Sequence, residues 1–440
     1  MVDTIIACST PLGQSGVAVI RISGIEALDT ILSFCSKKVL IPRKITFSKL
    51  YSDEDLVDQV LLCYMPGPKS FTGEDVVEVF CHGNPIIVEK IIDCCIQKGV
   101  RLARHGEFSR RALENKKLSL LQAEALHSLI HAKSIEGVHL ANKGLVGELD
   151  DVCVRFKSKT LDFCAELEAR LDYPGDDLGY MSDRVLKEEM FDLAKKAEGI
   201  ADGWRAGRQK IYGAKVALVG PVNAGKSSLF NQLVQQERAL VSNIPGTTRD
   251  VVEKSIILNG IEISFWDTAG VREETQDPLE RAGMELGFKM VHDADLILLV
   301  SSLNNHKESE MQQIAEQIKS KQCLKVGTHY DVNEGLNVDV ECRIDSISGK
   351  GIDVLKEMIS AKIQASAPGM STLLNSQRQH ELFLNLSRHL KTSAHLLDEL
   401  GPAIAAEELT FALEKIAQLS GHDTREEILS HLFSKFCIGK

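Results

Sequence analysis

What the 440-residue chain lacks removes several classes of function. No apolar run approaches the 18 or so residues that a membrane-spanning helix needs, and no basic stretch precedes a greasy one at the N-terminus. The expectation is a cytoplasmic protein with neither span nor signal segment. Eleven cysteines are scattered from Cys8 to Cys437 without a C-x-x-C pair, which argues against a zinc site or disulfide framework and for reduced thiols. Excess positive charge is missing too. The 51 Lys and Arg against 62 Asp and Glu leave a net −11, so the protein as a whole does not hold nucleic acid electrostatically. Any RNA contact then needs a local patch. Arg101 to Lys117 offers one, with Arg101, Arg104, Arg110, Arg111, Lys116 and Lys117 against only Glu107 and Glu114. A solvated face explains the same run equally well. Repeats and low-complexity tracts are absent, and 44% apolar content suffices for the cores of about three domains.

Against these absences stands one dense motif. Gly220-Pro-Val-Asn-Ala-Gly-Lys-Ser227 fits the phosphate-binding pattern G-x-x-x-x-G-K-[ST]. Val216-Ala-Leu-Val219 before it reads as a buried strand, and Ser228-Leu-Phe-Asn-Gln-Leu-Val234 after it as the opening of a helix. That order points backbone N–H groups and a helix N-terminus at a polyphosphate. Lys226 then reaches the β/γ-phosphates, and the Ser227 hydroxyl ligates Mg²⁺. A glycine turn beside a surface lysine would not need both flanks.

Asp267-Thr-Ala-Gly270 ends the strand-like Ile261-Glu-Ile-Ser-Phe-Trp266, which places Asp267 to hold Mg²⁺ through water and Gly270 to donate to the γ-phosphate. Ser255 to Ile263 reads as a hairpin about Asn259-Gly260, hence one antiparallel edge strand on a parallel sheet, as in small GTPases. Between these motifs, Pro245-Gly-Thr-Thr-Arg-Asp250 reads as a switch loop whose Thr248 ligates Mg²⁺ only when the γ-phosphate is present. Three ordered motifs predict a GTPase. Two departures matter. A water-orienting glutamine would directly follow D-x-x-G, but Val271 stands there, so hydrolysis needs another source of catalysis. The base-reading N-K-x-D is reduced to Thr328-His-Tyr-Asp331, and Asp345-Ser-Ile-Ser-Gly-Lys-Gly351 is looser than the usual S-A-K. Guanine specificity with lowered affinity is expected, resting on Asp331.

The flanks give the architecture. Residues 1–118 mix strand runs (Val17–Ile22, Val57–Cys63, Asp75–Phe80) with a helix from Asn84-Pro85 to about Lys98, an α+β domain. His82 beside a strand end reads as structural rather than catalytic. Residues 119–212 are helical, with Leu118, Leu121, Ala125, Leu129 and Ala132 on one stripe, a break at Asp172 to Asp177, and loosening at Gly203 and Gly207. Residues 368–440 are helical again, with Leu409, Ala412, Ile416 and Leu419 on one face, Gly421 as a stop and a Thr424/Glu427 capping box. An α/β phosphate-loop domain of Ras-like type, 213–367, is thus inserted into a helical one.

These strings resemble those of the MnmE (TrmE) family of tRNA-modification GTPases over the whole chain. The resemblance rests on the terminal Phe436-Cys-Ile-Gly-Lys440, with Ala18-Val-Ile-Arg-Ile-Ser-Gly24, Ser70-Phe-Thr-Gly-Glu-Asp75, Gly106-Glu-Phe108 and Leu121-Gln-Ala-Glu-Ala125 in order. It implies an N-terminal domain that dimerises and binds 5-formyl- or 5,10-methylene-tetrahydrofolate through Arg21, Glu78 and Lys117, with Lys440 of the terminal motif. It implies G domains that dimerise across GTP or GDP, with K⁺ in place of an arginine finger. The cation donors would be Asn223, Ser242, Ile244 and Thr247, although Ser242 is usually threonine. Glu280 matches the water-orienting glutamate, with one extra residue between it and Gly270. Nucleotide contacts fall by resemblance on Asn223, Ala224, Gly225, Lys226, Ser227 and Ser228, on Ser242, Asn243, Ile244, Pro245, Gly246, Thr247 and Thr248, and on Asp267, Thr268, Ala269, Gly270 and Asp331. Cys437 would lie near the folate and take part in the chemistry, although a thiol near a chain end is more often inert. The implied function is a K⁺-stimulated GTPase that works with an FAD-dependent partner of the MnmG (GidA) type in a heterotetramer. Together they would modify C5 of the wobble uridine, position 34, of certain tRNAs to a (carboxymethyl)aminomethyluridine. Rival readings are a ribosome-assembly GTPase, for which no basic RNA module is evident, and a folate- and nucleotide-binding scaffold with little turnover.

Overall fold

The computed structural model describes the chain except for residues 1–2, 174–179, 236–252, 268–290, 305–307, 320, 330–338, 346, 365–372, 422–425, 437 and 440. It divides into two compact units: Met1–His127 with Leu145–Phe191 and Arg388–Lys440, and Ser128–Gly144 with Asp192–Ser387.

The first unit opens with β1 (Ile5–Cys8), β2 (Ser15–Ser23), α1 (Ala27–Phe34), β3 (Thr46–Ser52), β4 (Asp55–Met65), β5 (Val76–Gly83), α2 (Pro85–Ile96), β6 (Arg101–Leu102) and α3 (Glu107–Glu114). Its sheet has the order β3-β4-β5-β2-β1-β6. Period-two alternation gives that sheet two different faces. Ile20, Ile22, Leu50, Val60, Leu62, Val77 and Val79 point to one side and form a core with α1 and α2, whose Ile31, Val88 and Ile91 are buried there. On the other side Phe47, Leu61, Phe80 and Val19 follow one another in register across four strands. Asn84 caps α2, its side-chain oxygen accepting from the Ile86 amide, and Pro85 needs no such partner.

Helices α4 (Leu120–His131), α5 (Ile135–Val146), α6 (Glu148–Asp172), α7 (Asp183–Asp202) and α8 (Trp204–Tyr212) follow. The expected break after Asp172 is present, whereas Gly207 does not loosen the chain: it is buried inside α8.

The second unit contains β7 (Ala214–Val219), α9 (Lys226–Gln235), β8 (Glu253–Leu258), β9 (Ile261–Asp267), β10 (Leu296–Ser302), α10 (Glu308–Gln317), β11 (Cys323–Thr328), β12 (Cys342–Arg343) and α11 (Ile352–Gln364). The sheet order is β12-β11-β10-β7-β9-β8, with every described pairing parallel except β8–β9. The predicted hairpin is therefore present as the antiparallel edge. Its two turn residues, Asn259 (φ 48°) and Gly260 (φ 80°), both hold the positive φ that a two-residue turn of this hand requires. β10 is buried along its whole length, as a parallel strand covered on both faces must be. α12 (Gln377–Glu399), α13 (Pro402–Ser420) and α14 (Glu426–Ser434) complete the chain. In α13 the expected face, Leu409, Ala412, Ile416 and Leu419, is buried and packs on α6.

Candidate functional site

The phosphate loop is built where β7 runs into α9. Close packing beneath it explains its glycines. A Cβ on Gly220 would lie 2.1 Å from the Val300 carbonyl oxygen on β10, and one on Gly225 would lie 3.2–3.3 Å from three atoms of the Thr328 side chain. Lys226 is only 8% exposed, and its ammonium donates to the carbonyls of Gly220 (2.7 Å) and Pro221 (2.8 Å), so the side chain is folded over the loop. Asn223 sits with φ 65°, a left-handed conformation that asparagine tolerates better than most residues, and it is exposed. Ser227 and Ser228 are exposed on the first turn of α9. Ala224 is buried, and a cavity of about 140 Å³ lies between Pro221–Ala224, Ser301, Ser302 and Met311.

The loop is tied from below by β11. The Thr328 hydroxyl, 1% exposed, reaches the carbonyl oxygens of Ala224 (2.7 Å) and Ser301 (3.2 Å). His329 follows at φ 62°, its Nδ1 3.1 Å from Thr328 Oγ1 and 3.2 Å from Ser302 Oγ. The Asp345 carboxylate accepts the Ser348 hydroxyl and the amides of Ile347 (2.8 Å) and Ser348 (3.2 Å), closing the loop after β12. Those bonds, the Ser348 hydroxyl first, hold its pKa below the ordinary carboxylate value, and the His329 imidazole adds to the effect.

Of the remaining nucleotide-site residues, Asp267 ends β9 opposite Leu218, one strand from the loop. Ser242, Asn243, Ile244, Pro245, Gly246, Thr247, Thr248, Thr268, Ala269, Gly270, Glu280 and Asp331 lie outside the described residues. Among the described residues no group of three or more His, Cys, Asp and Glu side chains could hold a metal ion.

In the first unit, Arg21 on β2 and Glu78 on β5 are direct cross-strand partners, and the guanidinium bonds Glu78 Oε1 at 2.8 and 3.0 Å. The same guanidinium lies 5.3 Å from the Phe71 ring centroid and 5.7 Å from that of Phe108. Lys117 packs its stem on Gly73 in the Ser70–Asp75 string. The C-terminus is threaded onto the same domain. Ile438 forms an antiparallel bridge with His105, the His105 Nδ1 meets the Phe436 carbonyl at 3.0 Å, and Ser9 Oγ donates to the Gly439 carbonyl at 2.9 Å. Cys437 and Lys440 themselves lie outside the described residues. His82 pairs with Asp58 at 2.7 Å, and that carboxylate, nearly buried, also takes the amides of Gln59 and His82. The arrangement ties β4 to β5, so His82 is structural.

The basic run 101–117 is not a nucleic-acid patch as a whole. Arg111 is 6% exposed and bonded to Asp3, Glu74 and Glu107; Arg101 holds Asp3 and Glu107; Arg110 holds Glu114 and Glu426. Three of its six cations are thus neutralised, by partners mostly distant in sequence.

Comparison with known proteins gives the family. Residues 4–117 match the family described as GTP-binding protein TrmE N-terminus, and residues 120–437 match the MnmE helical domain. Proteins named tRNA modification GTPase MnmE from Thermotoga maritima and Aquifex aeolicus are 35% and 34% identical over 456 and 455 residues, covering 100% of each chain. One from Clostridioides difficile is 33% identical over 456 residues, covering 100% of this chain and 99% of its own. Among solved structures, Aquifex aeolicus Era bound to GDP·AlF4⁻ is similar at 23% identity, 40% of this chain, 66% of that one and a TM-score of 0.29. The G domain of the T. maritima FeoB iron transporter is similar at 28% identity, 35% of this chain, 98% of that one and a TM-score of 0.25. With a family match across most of its length and full-length relatives above 30% identity, the chain belongs to the MnmE (TrmE) family of tRNA-modification GTPases.

Proposed function

We propose that this protein is a K⁺-stimulated GTPase whose turnover drives a G-domain cycle, with an FAD-dependent partner, in modifying C5 of the wobble uridine of certain tRNAs in the cytoplasm. The observation that carries the nucleotide half is the phosphate loop: a buried Lys226 folded against it and an exposed Asn223 held in a left-handed turn at its rim. An amide oxygen there suits a monovalent cation, as the Ser227 hydroxyl at the head of α9 suits Mg²⁺. A K⁺ ion beside the β/γ-phosphates would supply the positive charge an arginine finger supplies elsewhere. The chain's own residues do the rest: backbone amides and the helix terminus hold the phosphates, Lys226 offsets their charge, and Glu280 orients the attacking water.

The modification half rests on the first unit. A guanidinium paired to a carboxylate between two aromatic rings suits the hydrogen-bonding pterin of a tetrahydrofolate, and Lys117 suits its glutamate tail. Ile438 and Gly439 of the terminal motif are bound to His105 and Ser9 of this domain, which supports a role there for the terminal motif, with Cys437 as its reactive group. The apolar row Phe47–Leu61–Phe80–Val19 on the sheet face opposite α1 and α2 supports pairing of two copies there.

GTP turnover of the purified protein in KCl and in NaCl, with Glu280→Ala alongside, tests the first half. Turnover raised by K⁺ and lost in the variant is expected; equal rates in both salts would refute the cation assignment at Asn223. Binding of 5-formyl-tetrahydrofolate, weakened by Arg21→Ala with GTP turnover unchanged, tests the second.

A further inference from the structure

The chain enters β7 from α8 through Tyr212 and Gly213, and after α11 it returns to helices at α12. A short piece of the helical region, Ser128 to Gly137, holds both crossings. Ser128 is fully buried, and its hydroxyl donates to the Asn375 carbonyl at 3.1 Å, just ahead of α12. With that hydrogen committed, the Tyr212 hydroxyl, also 3.1 Å away, donates to Ser128 Oγ. Lys133, between α4 and α5, gives its amide to the Ile211 carbonyl at 2.8 Å. Ser134 Oγ donates to the Lys210 carbonyl at 2.6 Å and accepts the Gly137 amide at 2.9 Å. Gly137 leaves no room there: a Cβ on it would lie 2.4 Å from the Lys210 carbonyl oxygen.

The same piece reaches the sheet. The Lys133 ammonium pairs with Glu262 Oε1 at 2.8 Å, and the Glu262 side chain is only 15% exposed. Glu262 is the second residue of β9, whose last residue is Asp267, the carboxylate that the sequence assigns to Mg²⁺. At about 3.3 Å per residue, one strand of about 17 Å joins the ion pair to that carboxylate. In sequence the β8–β9 hairpin lies between Thr248 and Gly270, the two residues expected to sense the γ-phosphate. It forms an edge of the sheet, where a shift disturbs one neighbouring strand, β7. The sheet's centre is fixed differently. Asp295, at the foot of β10, takes the Lys215 amide at 2.9 Å and the Arg208 guanidinium, and Arg205 reaches its carbonyl at 3.0 Å. α8 is thereby clamped to β7 and β10. The hairpin is tied at its turn to α11, Asn259 Nδ2 to Ser360 Oγ at 2.7 Å, and to the helical piece through Lys133. A displacement at Asp267 is therefore shared between these two ties.

We propose, with the nucleotide reading above as premise, that Lys133 and Glu262 form a coupling pair through which the segment Ser128–Gly137 senses the nucleotide state of β9. A difference between nucleotide states at this segment then requires a contact whose strength differs between them. A half-buried carboxylate facing a lysine on the neighbouring element is such a contact, because a small tilt of β9 changes its length.

The test is hydrogen exchange on the full-length protein with GDP or the β,γ-imido analogue of GTP, in Mg²⁺ and K⁺. Peptides covering 133–137 and 211–213 are expected to differ between the two nucleotides by roughly 5-fold or more in protection. Lys133→Glu sets a second carboxylate against Glu262 and should abolish that difference. The response of α9 at the phosphate loop and the rate of GTP turnover should stay as in wild type. The reversed pair, Lys133→Glu with Glu262→Lys, should restore the difference, which a merely misfolded segment would not do. Gly137→Ala, which wedges α5 off α8 through the Lys210 carbonyl, should abolish it independently. A wild-type protein whose α9 responds while 133–137 does not would overturn the coupling and leave the nucleotide reading standing. So would a difference that survives Lys133→Glu, or a reversed pair that fails to restore it. Absence of GDP binding by the wild-type protein would overturn the nucleotide reading itself.

Discussion

The docked C-terminus offers a sharp perturbation in Gly439→Ala. Gly439 sits at φ 93°, and a Cβ there would lie 2.3 Å from the Cys8 carbonyl oxygen and 2.8 Å from its carbon. An alanine in a left-handed conformation costs about 1–2 kcal/mol before any clash. The clash is with backbone at the end of β1, so the tail must lift rather than a side chain swing aside. Lifting it loses the Ser9–Gly439 hydrogen bond and loosens the Ile438–His105 bridge, each worth about 0.5–1.5 kcal/mol net. The sum is about 2–5 kcal/mol against docking, and at about 1.4 kcal/mol per tenfold that raises the undocked-to-docked ratio roughly 30- to 4000-fold. Only a few residues are released, so the domain's thermal midpoint should move far less than such an energy would imply for a core position. Carboxypeptidase digestion followed by mass spectrometry reads the undocked population directly when opening is fast. Trimming of Gly439→Ala should be accelerated by about that factor, while GTP turnover stays at the wild-type rate and tRNA modification falls. Trimming at the wild-type rate would show that the tail is not held by these contacts, and the proposed role of the terminal motif in the first unit would go with it.

Other perturbations read other parts of the same logic. Gly220→Ala sets a Cβ 2.1 Å from the Val300 oxygen and should abolish nucleotide binding while the folate binding proposed for the first unit is unchanged, which calorimetry with each ligand separates. Arg111→Met leaves Glu74 partly buried without its cation and Glu107 with Arg101 alone, so urea denaturation at pH 7 should show a loss of about 3–5 kcal/mol. Burial raises the Glu107 carboxyl pKa, but bonds from Arg101, the Arg104 amide and Arg111 outweigh it and leave it below the ordinary value; Asp3 is lowered chiefly by Arg101. A depressed folded pKa gives stability that is present above the unfolded value, about 4.3 for a glutamate, and is lost as pH falls through the folded one. The gap between wild type and Arg111→Met should therefore narrow below about pH 4. Burial pushes the Cys81 and Cys95 thiols up to about 11 and about 12, so neither should react with a disulfide reagent at pH 8 until the protein unfolds.

The elements legible in the sequence are those whose signal is local. A two-residue Asn-Gly turn fixes both φ values and hence the register of β8 and β9, so that hairpin could be read from eight or nine letters. The stripe on α13 is equally local. β6, two residues long, exists only because the Thr4 and Ile6 carbonyls take the Arg101 and Ala103 amides, a pairing no window around residue 101 can contain. The basic run from Arg101 to Lys117 fails for the same reason. Its charges are visible in the sequence, but Asp3, Glu74 and Glu426, which neutralise them, are not adjacent to it. Charge counts report what a segment carries, and only the fold reports what it still has to offer a polyanion.

The base-reading motif poses the converse case, in which letters change and bonds remain. Judged by letters, Thr328 for asparagine and His329 for lysine make the stretch a damaged one. One buried donor aimed at the Ala224 carbonyl is what keeps the phosphate loop at a fixed height over β11, and a hydroxyl meets that requirement as well as an amide does. The shorter side chain demands a closer approach, and Gly225 makes it possible: any Cβ there would press on three atoms of Thr328 at once. Gly225 and the residue at 328 are therefore one packing unit, and a side chain added at 225 requires a smaller one at 328. Thr328→Asn keeps a donor for the Ala224 carbonyl and should hold GDP near wild-type affinity, whereas Thr328→Val should weaken it. Equal affinity in Thr328→Val and wild type would refute this account of the loop.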